Sequence, residues 1–302
     1  MRYGLTCKLA GRVITVSNER KIIWVASYPK SGNTWVRVFL YQYYHDNQCS
    51  DINKLNELIP PVSEKKLYLD ANGGEEPDNA DYARLREPVF RNIISSWQDN
   101  KPLLLKNHNA RARHLKRETV PTELTSKAIY IVRNPLDVVD SLANHTGLSI
   151  DGAVQLMCEP GAIIGGAGTS GGLEILTTWS QHVMSWVYGA QQYPTLVIRY
   201  EDLLTQPDLS FRNIVSFLEW PVFEDQLELS ISNASFDRLK AFEHAHGFNE
   251  NPHSKSRQFF RRGQSDRWQS VLSRSQIDRI IQVHGTMMER LGYLDQTPGH
   301  TR

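Results

Sequence analysis

The sequence predicts an α/β fold: a doubly wound parallel sheet flanked by helices. Three observations carry that reading. Ile22 to Ala26, Leu103 to Leu105, Ala128 to Val132 and Leu196 to Ile198 are short, nearly unbroken apolar runs. Stretches with apolar residues at helical spacing lie between them, and a cationic, glycine-bearing turn directly follows the first run. Unbroken runs suit parallel strands covered on both faces, where the usual inside/outside alternation is lost.

Along the chain, Thr34 to Tyr44 is the first expected helix, and Tyr82 to Trp97 is the second in spite of Pro88. Pro135 to Ala143 opens with proline at a first helical position, where its missing N–H is harmless. Leu173 to Ala190, Phe211 to Leu218 and Gln276 to Leu291 complete the helical set. Two regions break the pattern. Gly147 to Gly172 holds eight of the 19 glycines, too permissive for a packed interior, and is expected to be a mobile loop. Gly247 to Arg267 mixes Asn, His, Ser and Gly with Lys255, Arg257, Arg261, Arg262 and Arg267; it reads as a basic loop ordered by an anion, against the alternative of an ordinary solvated loop. With no repeat and no convincing linker, residues 1–302 are expected to form a single domain.

Composition removes several function classes. Net charge is +1, from 34 Lys+Arg against 33 Asp+Glu, so no bulk field favours nucleic acid or an anionic membrane. Cys7, Cys49 and Cys158 are odd in number and make no C-x-x-C, which argues against a disulfide framework and a zinc site and for a cytoplasmic home. No apolar h-region follows the N-terminal basic residues, and no segment approaches ~18 apolar residues, so export or anchoring is not expected.

The chemistry-bearing motifs sit at predicted strand ends. Tyr28-Pro29-Lys30-Ser31-Gly32-Asn33-Thr34-Trp35 joins the first strand to the first helix, where backbone N–H groups and the helix dipole favour an anion. Its lysine precedes the only glycine, unlike the ATPase loop G-x-x-x-x-G-K-[ST]. Arg133 falls at the end of the third strand, and Ser141 about two turns along the next helix; a planar fork and a hydroxyl at those heights can share one phosphate. His108, in Lys106-Asn107-His108, ends the second strand on the side of the sheet where Lys30 is expected.

Together with Arg199-Tyr200-Glu201-Asp202, Ala234-Ser235-Phe236, Thr178-Trp179-Ser180-Gln181-His182-Val183 and Phe259-Phe260-Arg261-Arg262-Gly263-Gln264-Ser265-Asp266-Arg267-Trp268, these motifs resemble, in the same order, those of the cytosolic-type sulfotransferase family, in its bacterial small-molecule form. The resemblance implies a donor, 3′-phosphoadenosine 5′-phosphosulfate, and the product 3′-phosphoadenosine 5′-phosphate (PAP). It implies that Lys30, Ser31, Gly32, Asn33, Thr34 and Trp35 hold the 5′ end. Arg133 and Ser141, completed by Arg261, Arg262 and the Gly263 backbone, would hold the 3′-phosphate. Trp35 and Phe236 would flank the adenine, with Ser235 beside them and Tyr200 on the base. Departures from the family pattern are Ala234 for Thr, Arg262 for Lys, Asp266 for Gly and Arg267 for Asp.

For catalysis the resemblance implies His108 as base, Lys30 as stabiliser of the leaving oxygen, Lys106 as an aid to the sulfuryl group and Ser141 as a restraint on Lys30. Sulfuryl transfer needs a neutral base near pH 7 and positive charge at the leaving group, and no metal is demanded where side chains supply the cations. The acceptor is expected to be a small molecule, a polar or cationic natural product being as plausible as a phenol or steroid, and to be sulfated on oxygen or nitrogen. Its pocket is expected among the residues after Tyr41, Gly73 to Glu76, Gly147 to Gly172 and His244 to Phe248. A P-loop small-molecule kinase and a non-catalytic PAP-binding module are the other readings.

Overall fold

The computed structural model describes residues 5–9, 12–16, 21–49, 51–98, 101–188, 192–251, 258–260, 263 and 265–294. An antiparallel pair, β1 (Leu5–Leu9) and β2 (Arg12–Val16), precedes the main sheet. That sheet is four-stranded, with β3 (Ile22–Ser27), β4 (Leu104–Asn107), β5 (Thr125–Val132) and β6 (Thr195–Arg199) in the order β6-β5-β3-β4. Each neighbouring pair is parallel.

Side chains alternate between the two faces of the sheet and enter two separate cores. Trp24, Leu105 and Tyr130 belong to one, whereas Val25, Leu104 and Ile131 belong to the other. All six are fully buried, which is why the sequence shows unbroken apolar runs there. Each large side chain removed from water stabilises the sheet by about 1.5–3 kcal/mol. The indole Nε1 of Trp24 donates to Thr125 Oγ1 at 2.9 Å, so its burial leaves no orphan donor.

Helices cover both faces. Helix α1 (Asn33–Tyr44) follows the turn after β3; α2 (Asn79–Ser96) retains Pro88 inside it; α3 (Pro135–Thr146) has Pro135 in its first turn and Asn134 accepting from the Leu136 N–H. The glycine-rich segment contains a helix, α4 (Ile150–Cys158), capped by Ser149, with Ala153, Val154 and Met157 buried. Helical spacing persists there in spite of Gly152, and the glycines from Gly165 to Gly172 lie in a turn held by Gly166 N–H to Gly171 C=O at 3.0 Å and Gly172 N–H to Ser63 C=O at 2.9 Å.

The helix expected from Leu173 begins only at Trp179, as α5 (Trp179–Val187), and the expected end, Ala190, lies outside the described residues. Glu174 and Ile175 instead pair antiparallel with Ile163 and Ile164. Thr177 at φ 59° breaks the run and Thr178 caps the helix in a reciprocal box with Gln181, so the helix cannot start earlier. Pro207–Phe217 gives α6; α7 (Phe236–His246) escaped the periodicity reading because Leu239 alone among its described residues is buried; α8 (Arg274–Arg290) closes the set. Among the described residues no helix is long and apolar enough to cross a membrane.

Ile129→Ala, in the middle of β5, is expected to lower the unfolding free energy by about 2–5 kcal/mol. Leu229→Ala, on an exposed helical position, should change it by no more than ~0.5 kcal/mol. Urea denaturation of both variants checks the placement of the core.

Candidate active site

The carboxyl ends of all four strands open into one cavity of about 560 Å³ whose lining includes Lys30, His108, Arg133, Ser141, Tyr200 and Phe236. In the turn after β3, Lys30 (φ 68°) and Gly32 (φ 103°) both take left-handed backbone. Such geometry is uncommon for a lysine and reverses the chain tightly. A Cβ on Gly32 would lie 2.6 Å from Tyr200 Cδ2, so only glycine lets that ring approach. Asn33 Nδ2 donates to Val25 C=O at 2.9 Å and ties the helix start to the strand.

Helix α1 has no side-chain cap and no acid in its first turn. Its first internal bond is Val36 N–H to Gly32 C=O, so the amides of Asn33, Thr34 and Trp35 precede the helical ladder. All three residues line the cavity, and unpaired amides at a helix start are suited to meeting an anion. Ser31 is fully buried, donates its N–H to Tyr28 C=O at 3.3 Å, and stands behind the turn.

Arg133 lays its guanidinium 4.2 Å from the centre of the Tyr200 ring and donates from Nη1 to Lys30 C=O at 3.3 Å. This contact joins the ends of β5, β6 and β3. Trp35 meets Tyr200 edge-on at 5.7 Å. Lys30 Nζ lies 3.8 Å from the centre of the Phe259 ring. Phe259 and Phe260 are anchored by their N–H groups, which donate to the Glu243 carboxylate at 2.7 and 2.8 Å.

The segment ending at Trp268 is fastened to α3 chiefly through Asp137. Asp137 accepts N–H groups from Asp266, Arg267 and Trp268 at 2.8, 3.0 and 3.2 Å. Burial pushes its carboxyl up, while these donors and Arg133 pull the other way. Asp266 has φ 64°, the left-handed region that glycine, its counterpart in the family motif, enters without strain. Arg267 pairs with Asp140 at 3.4 Å. Gly263, at φ 58°, lies so close to Phe236 that a Cβ would come within 2.5 Å of the ring. Arg261 and Arg262 lie outside the described residues.

His108 follows β4. Its Nδ1 lies 2.9 Å from Ser27 C=O and 3.2 Å from Ser27 Oγ; the carbonyl only accepts and the hydroxyl can accept as well, so the nearer contact places the proton on Nδ1 and leaves the lone pair on Nε2. Burial and then the Lys106 cation hold the imidazole well below 6.5, against the opposing bond to Ser27. His182 Nε2 donates to His108 C=O at 3.0 Å, and its Nδ1 accepts from the Tyr130 hydroxyl at 2.9 Å. Burial pushes His182 down to about 4, the bond to His108 opposing, so it too is neutral near pH 7.

Lys106 is held at 3.2 Å by Glu250 Oε2, and Arg37 Nη1 donates to both Glu250 oxygens at 2.7 and 2.9 Å. Burial works against the Glu250 charge, yet Lys106 and Arg37 bring its carboxyl to about 2. Ser63, Glu174 and Glu250 all line the cavity. No motif or periodicity marked them, because they meet only through folding. Of the segments expected to line the acceptor pocket, Ile164 alone among the described residues does so. Tyr41 and Tyr43 are buried in the core, Glu76 pairs with Lys65 elsewhere, and Phe248 packs on Phe259 and Phe260.

A family model described as Sulfotransferase domain matches residues 20–292. The chain is 24% identical over 283 residues to Sulfotransferase 1A1 of Canis lupus familiaris, with 89% of this chain and 83% of that protein covered. It is 25% identical over 288 residues to Cytosolic sulfotransferase 12 of Arabidopsis thaliana, with coverage of 88% and 77%. Among solved structures it is similar to retinol dehydratase in a complex with retinol and PAP, at TM-score 0.62 and 16% identity over 94% of this chain and 84% of that one. Mouse sulfotransferase SULT7A1 complexed with PAP gives TM-score 0.56 and 19% identity, with 89% and 85% covered. At these identities the structural likeness establishes the fold.

Asp137→Ala should release the backbone of Asp266, Arg267 and Trp268, speeding hydrogen exchange of those amides by about tenfold or more, as loss of bonds to a charged acceptor implies. Exchange within β5 should stay unchanged in the same measurement.

Proposed function

The chain belongs to the sulfotransferase family and is a sulfotransferase that uses 3′-phosphoadenosine 5′-phosphosulfate, and we propose that His108 and Lys30 run its transfer to a small-molecule acceptor. The observation that carries this is the Nδ1–H bond of His108 to Ser27 C=O at 2.9 Å. It fixes the tautomer with a bare Nε2 on a residue that lines the cavity shared with Lys30.

In this reading the acceptor's oxygen or nitrogen attacks sulfur as His108 Nε2 takes its proton. The bond from sulfur to the bridging oxygen breaks, and its electron pair stays on the phosphate of PAP, where Lys30 meets the charge. Positioning and electrostatics supply the rate, without a covalent enzyme intermediate. Lys106, steadied by Glu250 at 3.2 Å, aids the sulfuryl oxygens. His182 keeps His108 oriented through its backbone carbonyl.

PAP is bound in the similar retinol dehydratase and SULT7A1 structures, and the cavity has the groups to hold it here. We assign the 5′ end to Lys30 and to the backbone amides from Gly32 to Trp35, and the 3′-phosphate to Arg133 and Ser141. Trp35, Tyr200, Ser235 and Phe236 line the same cavity and are assigned to the adenine; stacking on such rings contributes about 1–3 kcal/mol per base. The Gly263 backbone, Arg261 and Arg262 are assigned to the 3′ end by the family pattern. Ser141 and the Phe259 ring, which lies 3.8 Å from Lys30 Nζ, are assigned to steady Lys30 before the donor enters. A cytoplasmic setting goes with the relatives named cytosolic.

His108→Ala should lower turnover by about 10²–10⁴-fold while PAP affinity holds, and Arg133→Ala should weaken PAP binding by about tenfold or more. Turnover undiminished in the His108 variant, measured with labelled donor, would refute the base assignment.

The pH profile gives an independent check. Only neutral His108 accepts a proton, and its pKa lies well below 6.5, so kcat/KM should stay level as pH falls to 6.5 and drop only at more acidic pH. Lys106→Met removes a cation that depresses His108 and should move that acid limb upward. An acid limb at or above 6.5 in the unmodified enzyme would count against the assignment.

A further inference from the structure

One carboxylate in the cavity takes no part in the chemistry assigned above. Glu174 is 7% exposed and lines the cavity with His108 and Lys106. It is fixed beside the base through its neighbour: Ile175 N–H donates to Asn109 Oδ1 at 2.9 Å, and Ala110 N–H donates to Ile175 C=O at 2.7 Å. The chain carrying Glu174 is thereby sewn to the residues directly after His108.

The two carboxylates of this region are in different states of compensation. Glu250 has both Arg37 and Lys106 on it. Glu174, among the described residues, takes a hydrogen bond from Ser63 Oγ at 2.7 Å and makes no ion pair within 4.0 Å. Arg86 is the nearby buried guanidinium, and its Nη2 goes to Leu173 C=O at 3.0 Å instead. A carboxylate so enclosed is unfavourable without a donor or cation to meet it, and burial accordingly pushes its pKa up, against the pull of Ser63, Lys106 and Arg86. Ile164, paired in register with Glu174, supplies an apolar wall at the same place.

We propose that Glu174 selects the acceptor, and that acceptors carry a protonated amine or guanidinium on an apolar frame, placed so that the cation meets Glu174 while the nucleophile meets His108. The proposal rests on the sulfuryl-transfer reading. Glu250 reduces the repulsion that Lys106 offers such a cation, whereas a wholly apolar acceptor would leave Glu174, among the described residues, with the Ser63 hydroxyl alone as its hydrogen-bond donor.

The test uses the full chain loaded with PAP and a set of primary amines, each matched to its neutral N-acetyl counterpart, and of guanidines, each matched to its neutral urea isostere, tyramine with N-acetyltyramine being the first pair. PAP affinity is measured first by calorimetry, then the affinity of each pair member. Charged members should bind at least about tenfold more tightly than their neutral counterparts, as a charge-assisted bond in a desolvated site implies. In Glu174→Gln that gap should shrink to less than about threefold while PAP affinity is retained. Neutral members binding as well as charged ones, failure of every charged compound to bind the PAP-loaded protein, or a gap that survives Glu174→Gln would each overturn the proposal. The unmodified protein's preference decides alone should the variant not fold. Failure of PAP itself to bind would overturn the donor assignment, and this inference with it.

Discussion

The parallel register of β3 between β4 and β5 is the constraint from which the site follows. Ala26 is level with Asn107 and with Tyr130, and Arg199 is level with Val132. Each strand therefore ends on one rim, and the next residues along the chain arrive there together: Tyr28 and its turn, His108, Arg133 and Tyr200. A slip of one residue would turn every side chain of a strand to the opposite core, and a slip of two would displace its end by about 6–7 Å. Sorting of alternate side chains into two apolar cores forbids the first, and so protects the chemistry as a by-product of packing.

Legibility in the sequence followed from how local each feature is. The turn with Lys30 and Gly32, the strand-end Arg133 and the capped start of α3 are written in consecutive residues, and their spacing reports the structure directly. Helical spacing from Leu173 is misleading because the apolar residues there serve a two-residue strand and then a separate helix, with Thr177 and Thr178 making the break. Helix α7 was invisible for the opposite reason: it buries too little to leave a period. The part of the cavity beyond the strand-end motifs was the least legible. Ser63, Glu174 and Glu250 line it from three unrelated segments, and of the segments that glycine content and polarity suggest for an acceptor, Ile164 alone among the described residues lines this cavity.

Burial of charge around Lys106 has its own logic. Arg37 is wholly buried, its Nη2 is met by Asn56 Oδ1 and Ile59 C=O at 2.7 and 2.9 Å, and its other arm grips Glu250. Such a network adds little net stability over an apolar packing of the same volume, but removal of one member strands the others. Its consequence is geometric. A lysine with four rotatable bonds is held to one place by a carboxylate that is itself held by a rigid planar fork.

Asp137 joins residues far apart in the chain, since the backbone it receives is that of Asp266, Arg267 and Trp268. This bears on synthesis as well as on binding. The rim made by β3 to β6 is complete once the chain has passed Tyr200, but the wall that Gly263 and Trp268 contribute arrives only after the ribosome has added the residues near the C-terminal helix. During synthesis, therefore, all four strand ends and Asp137 itself are made long before the backbone groups that Asp137 accepts from, and this stretch of the cavity wall is the last to be supplied.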